Sequence, residues 1–265
     1  MEKITRSIIK SRLEIQSETL DIIPWSTPII SFGNVNNSIL ATVGINPSNR
    51  EFEDIKGAEL NNENRRFHTL ESLNIKNWNN IQESHLQRIN EYCYNYFLRN
   101  PYDAWFKKLD YIISGTAKSY YFPSQEACHL DLIPWATSKK WSDLKTETQS
   151  ELLSSSEDFL GDILKSSKIE VLVLNGQTVV TNLEKITQTK FIRTEVREWK
   201  LKRSNGNDIK GYKYKGHIEK IGSVRLERKI LVLGFNYNIQ SSFGLTKKVM
   251  LCIRNWITEE LKSRL

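Results

Sequence analysis

The sequence has few of the residues from which disulfide frameworks, metal sites and membrane spans are built. Its 265 residues include three cysteines and four histidines. Cys93, Cys128 and Cys252 are scattered, lack CxxC spacing and are odd in number, so we expect buried thiols in a reducing cytosol. The chain has no long apolar run, and its first residues do not resemble a signal peptide. We therefore expect a cytoplasmic protein that does not span a membrane.

The composition favours a folded chain with a basic surface. Hydrophobic residues make up 39% of the sequence and aromatic residues 10%, which supports a substantial core and argues against disorder. The length suits one large α/β domain or two small ones, and we expect a single domain over residues 1–265. The net charge of +7 favours an anionic partner such as nucleic acid or an acidic membrane face, but charge alone does not decide between them.

Apolar runs separated by helical patterns predict an α/β fold. Four runs indicate central strands, at 39–45, 127–133, 169–174 and 229–234. Buried runs of this kind predict a three-layer α/β/α sandwich around a mostly parallel four-stranded sheet. Segment 191–226 alternates charged with apolar residues around Ser-Asn-Gly-Asn, which predicts an antiparallel hairpin insertion.

The spacing of apolar residues predicts the helices between these strands. Helices are expected at 3–15, 81–98, 104–113, 145–165, from 177 to 186, and 246–264. Within the fourth of these, Ser154, Ser155 and Ser156 predict an interruption at which a serine caps a new helix.

Polar loops follow all four predicted central strands. They begin at Gly44-Ile45-Asn46-Pro47-Ser48, at Asp131, at Asn175-Gly176 and at Gly234. The carboxyl ends of parallel strands meet at one edge of a sheet, where α/β proteins bind ligands, so we expect these loops to converge there. Taken singly, each loop is equally consistent with a plain connection.

Two of these loops and one further segment resemble a known family. Gly44-Ile45-Asn46-Pro47 is similar to the first motif of the uracil-DNA glycosylase superfamily, in its mismatch-specific uracil and thymine DNA glycosylase branch. Asn64-Arg65-Arg66-Phe67-His68 follows at a comparable distance, and the loop at 238–242 occupies the place of the last motif. The resemblance implies an enzyme that flips a nucleotide out of DNA and hydrolyses its glycosidic bond.

The resemblance assigns roles to the first motif and to the segment after it. Asn46 would hold the attacking water; the alternative is a turn residue that caps its own backbone. Phe67 would stack on the flipped base, or it is a core aromatic at a helix start. His68 would form a polar pocket wall, although a histidine that faces solvent is the simpler interpretation. The remaining predicted base-binding residues of the first motif are Gly44, Ile45, Pro47 and Ser48.

Further site residues come from the ends of the next two strands. His129 and Asp131 alternate on a strand and so share a face. Asp131 is a second catalytic candidate, which would accept a hydrogen bond from an exocyclic amine or orient water; the alternative is a buried pair that satisfies itself. Asn175 would read the edge of the base, or it belongs to an ordinary turn. Two side chains do not make a metal site, so we expect neither a metal nor a cofactor.

The last loop and the start of the final helix are the predicted DNA contacts. Ser241 and Ser242 would bind phosphate, and Phe243 or Leu245 would fill the space that a flipped base leaves. The alternative is a plain connection with Phe243 packed inward. The other predicted DNA-binding residues are Asn238, Gln240 and Lys247, with Lys139, Lys140, Lys202, Arg203 and Lys248 as possible backbone contacts.

Departures from the motifs modify the expected substrate. Ser48 replaces the glycine that ends the first motif, the last motif lacks its proline, and segments 70–125 and 191–226 are additions. These changes suggest a modified base, and the chain resembles phage-defence glycosylases that attack glucosylated hydroxymethylcytosine in viral DNA. No lysine nucleophile stands at a strand end, so we expect a monofunctional enzyme that leaves an abasic site.

Several alternatives stay open at this point. One is a repair glycosylase for uracil or mismatched thymine, a second is a catalytically silent nucleic-acid-binding protein on the same fold, and a third is an enzyme of free nucleosides or nucleotides. The expected partner is DNA, with no obligate protein partner, and the expected state is a monomer.

Overall fold

One six-stranded sheet forms the centre of the molecule. The computed structural model describes residues 2–15, 20–203, 206–242 and 244–262. The strands are β1 (Leu40–Gly44), β2 (Ala127–Asp131), β3 (Val171–Asn175), β4 (Ile192–Leu201), β5 (Ile209–Ile221) and β6 (Val224–Phe235). Their order in the sheet is β2-β1-β3-β6-β5-β4. The first four strands in this order are parallel neighbours, and β5 and β4 continue the sheet in antiparallel fashion. The predicted mostly parallel α/β sheet is confirmed.

The apolar runs become strands because both of their faces are covered. Every residue of β1, β2 and β3 is buried, as expected for parallel strands between two helical layers. The chain passes from β1 to β2 on one side and then to β3 on the other, so β1 lies where the direction of winding reverses. In β1 and β2, Thr42 stands opposite His129 and Gly44 opposite Asp131. This register brings the ends of the two strands level.

Helices flank the sheet in a three-layer arrangement. The helices of the described residues are α1 (Glu2–Ile15), α2 (Leu70–Leu73), α3 (Glu83–Tyr94), α4 (Asp103–Ile113), α5 (Thr146–Ser155), α6 (Phe159–Lys165), α7 (Gln177–Thr187) and α8 (Lys247–Leu261). The buried apolar side chains of these helices and strands form one continuous cluster. Across the ranges that the structure describes, no helix combines the length and apolar character needed to cross a membrane.

Two local predictions need correction. The helix predicted at 81–98 stops at Tyr94 and is followed by a separate 3-10 turn, Tyr96–Leu98. The predicted interruption near Ser156 is present, but the serine does not cap the next helix. Its hydroxyl donates to the carbonyl oxygen of Leu152 (2.8 Å) and so closes α5. Asp158, which precedes α6, makes no capping bond with its side chain.

The segment predicted as a hairpin insertion widens the central sheet. Strand β4 pairs with β5, and β5 pairs with β6 along most of its length. Two residues, Gly222 and Ser223, join β5 to β6, while the turn between β4 and β5 includes residues 204 and 205, outside the described ranges. Because β5 runs antiparallel to β6, the first residues of β5 stand at the same edge as the polar loops.

Candidate active site

A small pocket lies at the carboxyl edge of β1 and β2. Its volume is about 60 Å³, well below the roughly 300–1,000 Å³ of typical small-molecule sites. The lining residues are Phe32, Asn46, Pro47, Ser48, Glu51, Tyr102, Trp105, Phe106, His129 and Asp131. Five of the residues predicted from the sequence therefore meet at one pocket, and the half-buried Tyr102 and Trp105 form part of its wall.

The amide of Asn46 has a defined orientation. Its Nδ2 lies 3.0 Å from Oγ1 of Thr137, 3.2 Å from the carbonyl oxygen of Pro47 and 3.5 Å from that of Trp135. The hydroxyl of Thr137 donates its own proton to the carbonyl oxygen of Lys139 (2.7 Å), so all three neighbours act as acceptors. Only the NH₂ group can face three acceptors, and Oδ1 has no hydrogen-bond partner in the described residues. Oδ1 is therefore the atom of Asn46 that remains available to a ligand or a water.

Asp131 and His129 belong to a buried chain of polar groups that starts at the pocket. Asp131 is 5% exposed, and its Oδ1 lies 3.4 Å from Nε2 of His129. Nδ1 of His129 is 2.7 Å from Oγ1 of Thr42, which is 2.5 Å from the hydroxyl of Tyr120. In a consistent assignment Tyr120 donates to Thr42, Thr42 donates to Nδ1, and Nε2–H points at the carboxylate. Of the described residues, no third His, Cys, Asp or Glu joins this pair in a group suited to a metal ion.

Glu51 is the chemically distinctive residue that the sequence did not reveal. Its side chain lines the pocket although the residue is 3% exposed, and the hydroxyl of Tyr96 donates to its Oε2 (2.8 Å). The pKa of Glu51 is raised to about 7, chiefly by burial and also by the charge of Asp131, against the lowering effects of the Arg66 charge and the Tyr96 hydrogen bond. The pocket thus holds two carboxyl groups, one of which is partly protonated near neutral pH.

Ser48 explains how Glu51 reaches the pocket. Its hydroxyl oxygen accepts the backbone N–H of Arg50 (3.2 Å) and caps the short 3-10 helix Asn49–Glu51. The guanidinium of Arg66 donates to the carbonyl oxygen of Arg50 (2.6 Å) at the other side of this turn. Ser48 therefore fixes the turn that carries Glu51. The sequence signal that could have indicated Glu51 is its position, five residues after Asn46 in the same polar loop.

Aromatic side chains form the walls of the pocket. Phe32 and Phe106 have ring centroids 5.1 Å apart, and Trp105 meets the ring of His129 edge-on at 5.0 Å. Tyr102 and Trp105 come from the start of α4, a segment that the sequence analysis treated only as a helix with an apolar face. Rings in this arrangement favour a flat, conjugated ligand, because such a ligand stacks on aromatic faces and edges.

Two residues of the predicted base-binding set do not reach the pocket. Phe67 is 1% exposed and packs in the core, stacked on Tyr96 with centroids 5.1 Å apart. His68 is 2% exposed and its Nδ1 lies 2.9 Å from Oγ of Ser72, so neither a pocket wall nor a surface position describes it. The stacking role predicted for Phe67 is therefore wrong, and the alternative of a core aromatic is correct.

Gly44 and Ile45 also do not line the pocket, but Gly44 makes the pocket possible. A Cβ at position 44 would lie 2.3 Å from Oδ1 of Asp131 and 3.0 Å from Nε2 of His129. Only glycine leaves room for the two side chains to cross the end of β1. Ile45 is half-buried, and its carbonyl oxygen accepts the N–H of Ile133 (3.0 Å), which ties the motif to the loop after β2.

Asn175 holds the last loop in place and is not free to read a base. It is 2% exposed, its Oδ1 accepts the N–H of Ile239 (3.0 Å), and its Nδ2 donates to Oε1 of Gln240 (2.8 Å). Gln240 in turn donates to the carbonyl oxygen of Trp105 (3.2 Å), a residue of the pocket wall. The last loop is therefore coupled to the pocket through Gln240.

The rest of the predicted DNA-contacting set is divided between structural and exposed positions. Oδ1 of Asn238 accepts the N–H groups of Gln240 (3.0 Å) and Ser241 (3.2 Å) and shapes the loop. Ser241 and Lys247 are exposed, Ser242 is half-buried, and Phe243 lies outside the described residues. Because the loop follows the carboxyl end of β6, which is parallel to β3 and β1, its exposed residues lie at the same edge of the sheet as the pocket.

Comparison with known proteins leaves the chain without an assigned family. No family model matches the sequence, and no curated protein matches it. The resemblance to glycosylases therefore rests on the sequence motifs alone.

The contact between Gly44 and Asp131 predicts an energetic coupling. Gly44→Ala should lower the free energy of unfolding by about 1–3 kcal/mol, because the added methyl group overlaps with the Asp131 carboxylate. The same substitution should cost less in an Asp131→Ala background, where the closest atom is absent. Urea unfolding of the four proteins measures the coupling. Equal costs in the two backgrounds would show that the carboxylate does not limit position 44.

Glu51 predicts a change of stability with pH. Its pKa of about 7 in the folded state exceeds the ordinary value of 4.5, so between these values only the folded state binds the proton. The stabilisation is complete below about pH 4.5 and is lost as the pH rises through 7, with a maximum of roughly 3 kcal/mol. Glu51→Gln should therefore gain stability over the wild type between pH 5 and pH 8.

Urea unfolding at both pH values measures this difference. Glu63→Gln, at an exposed position, is the control and should follow the wild type. If Glu51→Gln and the wild type lose stability in parallel, the carboxyl of Glu51 does not bind the proton in the folded protein.

Proposed function

We propose that this protein is a DNA glycosylase, which receives a flipped pyrimidine in the pocket and hydrolyses its N-glycosidic bond to leave an abasic site. The observation that carries the proposal is the presence of Asn46 and Asp131 in one aromatic-walled pocket, with no hydrogen-bond donor of the described residues on Oδ1 of Asn46. The exposed Ser241 and Lys247 beside this edge, and the net charge of +7, support DNA as the partner.

In the proposed reaction Asn46 positions water and does not remove its proton efficiently. An amide oxygen accepts a hydrogen bond from water and fixes its approach to the sugar carbon. Bond breaking is largely dissociative, so positive charge develops on the sugar, and the carboxylate of Asp131 stabilises it and accepts a proton from the water. The protonated fraction of Glu51 donates a hydrogen bond to the departing base, whose negative charge grows as the bond breaks.

The proposed base is a modified cytosine, such as glucosylated hydroxymethylcytosine in viral DNA, which would make the enzyme an antiviral one. Carboxyl oxygens at the floor of the pocket suit an exocyclic amine, which cytosine has and uracil lacks. A volume of about 60 Å³ is too small for a base with a sugar substituent. In the proposal the half-buried Tyr102 and Trp105 therefore move to admit the base, and the substituent stays outside, beside the exposed Ser48.

The experiment that tests the reaction is an excision assay on defined DNAs. Duplex and single-stranded oligonucleotides would carry uracil, mismatched thymine, hydroxymethylcytosine or its glucosylated form. Breaks at the modified position only after hot alkali would support a monofunctional glycosylase. Excision of uracil or thymine alone would support the repair alternative. Binding without an abasic product on any substrate would support the silent binding protein.

Substitution of Asn46 separates catalysis from binding. On any DNA from which the wild type excises a base, Asn46→Ala should reduce the single-turnover rate of excision at least about 100-fold, because it removes the group that positions water. Its Kd for that DNA should stay within about threefold of the wild type, since the amide does not contact phosphate in the proposal. Asn182→Ala, on the outer side of α7, is the matched control and should keep the full rate. An Asn46→Ala protein with the wild-type rate would refute the assigned role.

A further inference from the structure

A second group of polar side chains surrounds the buried ring of His68. Nδ1 of His68 is paired with Ser72, but Nε2 is buried and has no hydrogen-bond partner in the described parts of the chain. The pKa of His68 is lowered to about 3, first by burial and then by the charges of Arg88, Arg65, Arg99 and His85. The ring is therefore neutral and sits among cationic groups.

The three arginines of this group lack counter-ions. None of them has a carboxylate oxygen within 4.0 Å in the ranges that the structure covers, in contrast to Arg6, which pairs with Glu83. Nε of Arg65 is buried without a partner, and Arg88 donates to a neutral carbonyl oxygen, that of Ser72 (3.1 Å). Like charges around one buried ring repel one another when no counter-ion compensates them, and a bound anion would relieve that repulsion.

An aromatic ring adds order to the group. The guanidinium of Arg99 lies 3.1 Å from the centroid of the Tyr92 ring. The ring centroids of His68 and Tyr92 are 3.9 Å apart. Arg99 and Tyr92 are surface-accessible, so a ligand can approach the guanidinium edges from solvent. Stacking restricts the freedom of the Arg99 side chain and reduces what is lost when it binds a ligand.

We infer that Arg65, Arg88 and Arg99, together with the unpaired nitrogen of His68, form a binding site for a phosphate group. Guanidinium groups bind phosphate oxygens in a bidentate fashion. With Ser72 donating to Nδ1 of His68, Nε2 carries the proton, so a phosphate would supply both the missing negative charge and the missing hydrogen-bond acceptor. The bound phosphate could come from two sources, a phosphodiester of a DNA strand or a small molecule. The site does not depend on glycosidic bond cleavage.

The position of the site relates it to the pocket. Arg66 follows Arg65 in the chain, and it donates to the carbonyl oxygen of Asn100, the residue after Arg99 (3.1 Å). The guanidinium of Arg66 also lies 5.2 Å from the ring centroid of Tyr102. Tyr102 is part of the pocket wall. A strand that enters the pocket would therefore pass a phosphate near these arginines.

Calorimetric titration with inorganic phosphate, and DNA binding at several salt concentrations, test the site. Arg65→Gln and Arg99→Gln should each weaken phosphate binding at least about fivefold, since each removes one charged bidentate partner. Arg254→Gln is the matched control, because Arg254 also stacks on a tyrosine, Tyr111, at 4.9 Å. It should bind phosphate as the wild type does. Circular dichroism checks that each variant is folded.

The salt dependence identifies the source of the phosphate. If the site takes a DNA phosphodiester, each variant should reduce the slope of log K against log salt by about one. A loss of phosphate binding with an unchanged DNA slope would support a small-molecule phosphate at the same site. If the wild type binds no phosphate and the two variants match Arg254→Gln in DNA binding, the site does not exist. None of these outcomes requires excision activity.

Discussion

The parallel pairing of β1 with β2 is the constraint on which the candidate site depends. It places Gly44 opposite Asp131, and the missing side chain of Gly44 gives Asp131 and His129 the space to lie across the end of β1. The same pairing brings the turn that begins at Asn46 beside the loop after β2, where Thr137 receives the amide hydrogens. A change in register by one residue would turn these side chains to the opposite face and dismantle the pocket.

Burial gives the site its chemical character. Two carboxyl groups, those of Glu51 and Asp131, face a pocket with aromatic walls, and the weak solvation there keeps Glu51 partly protonated at neutral pH. Asp131 is supported by a histidine whose far nitrogen is fixed by Thr42. Asn46, Glu51 and Asp131 each have a hydrogen-bond or ion-pair partner on their protein side, so their orientations are set before a ligand arrives.

Much of this arrangement follows from local sequence pattern, and the rest from contacts between distant segments. The central strands, and the meeting of Asn46 with His129 and Asp131, could be predicted, because apolar runs identify buried strands and parallel strands share an edge. Glu51 could not, since an acid in a polar loop looks exposed until Tyr96 and the aromatic walls enclose it. Phe67 was misplaced because an aromatic residue next to a motif carries no information about which way its ring points. The pairing of β5 with β6 could not be predicted either, because a hairpin pattern identifies the turn but not the strand on which the hairpin packs.

The central claim is that acceptors on one side of Asn46 force its amide oxygen toward the pocket, where it holds a water. A crystal structure of the free protein at a resolution that separates amide nitrogen from oxygen tests this claim most directly. The account predicts Nδ2 on Thr137 and an ordered water within hydrogen-bond distance of Oδ1, inside the pocket. An amide whose NH₂ group faces the pocket, or whose oxygen is covered by a protein donor, would contradict it.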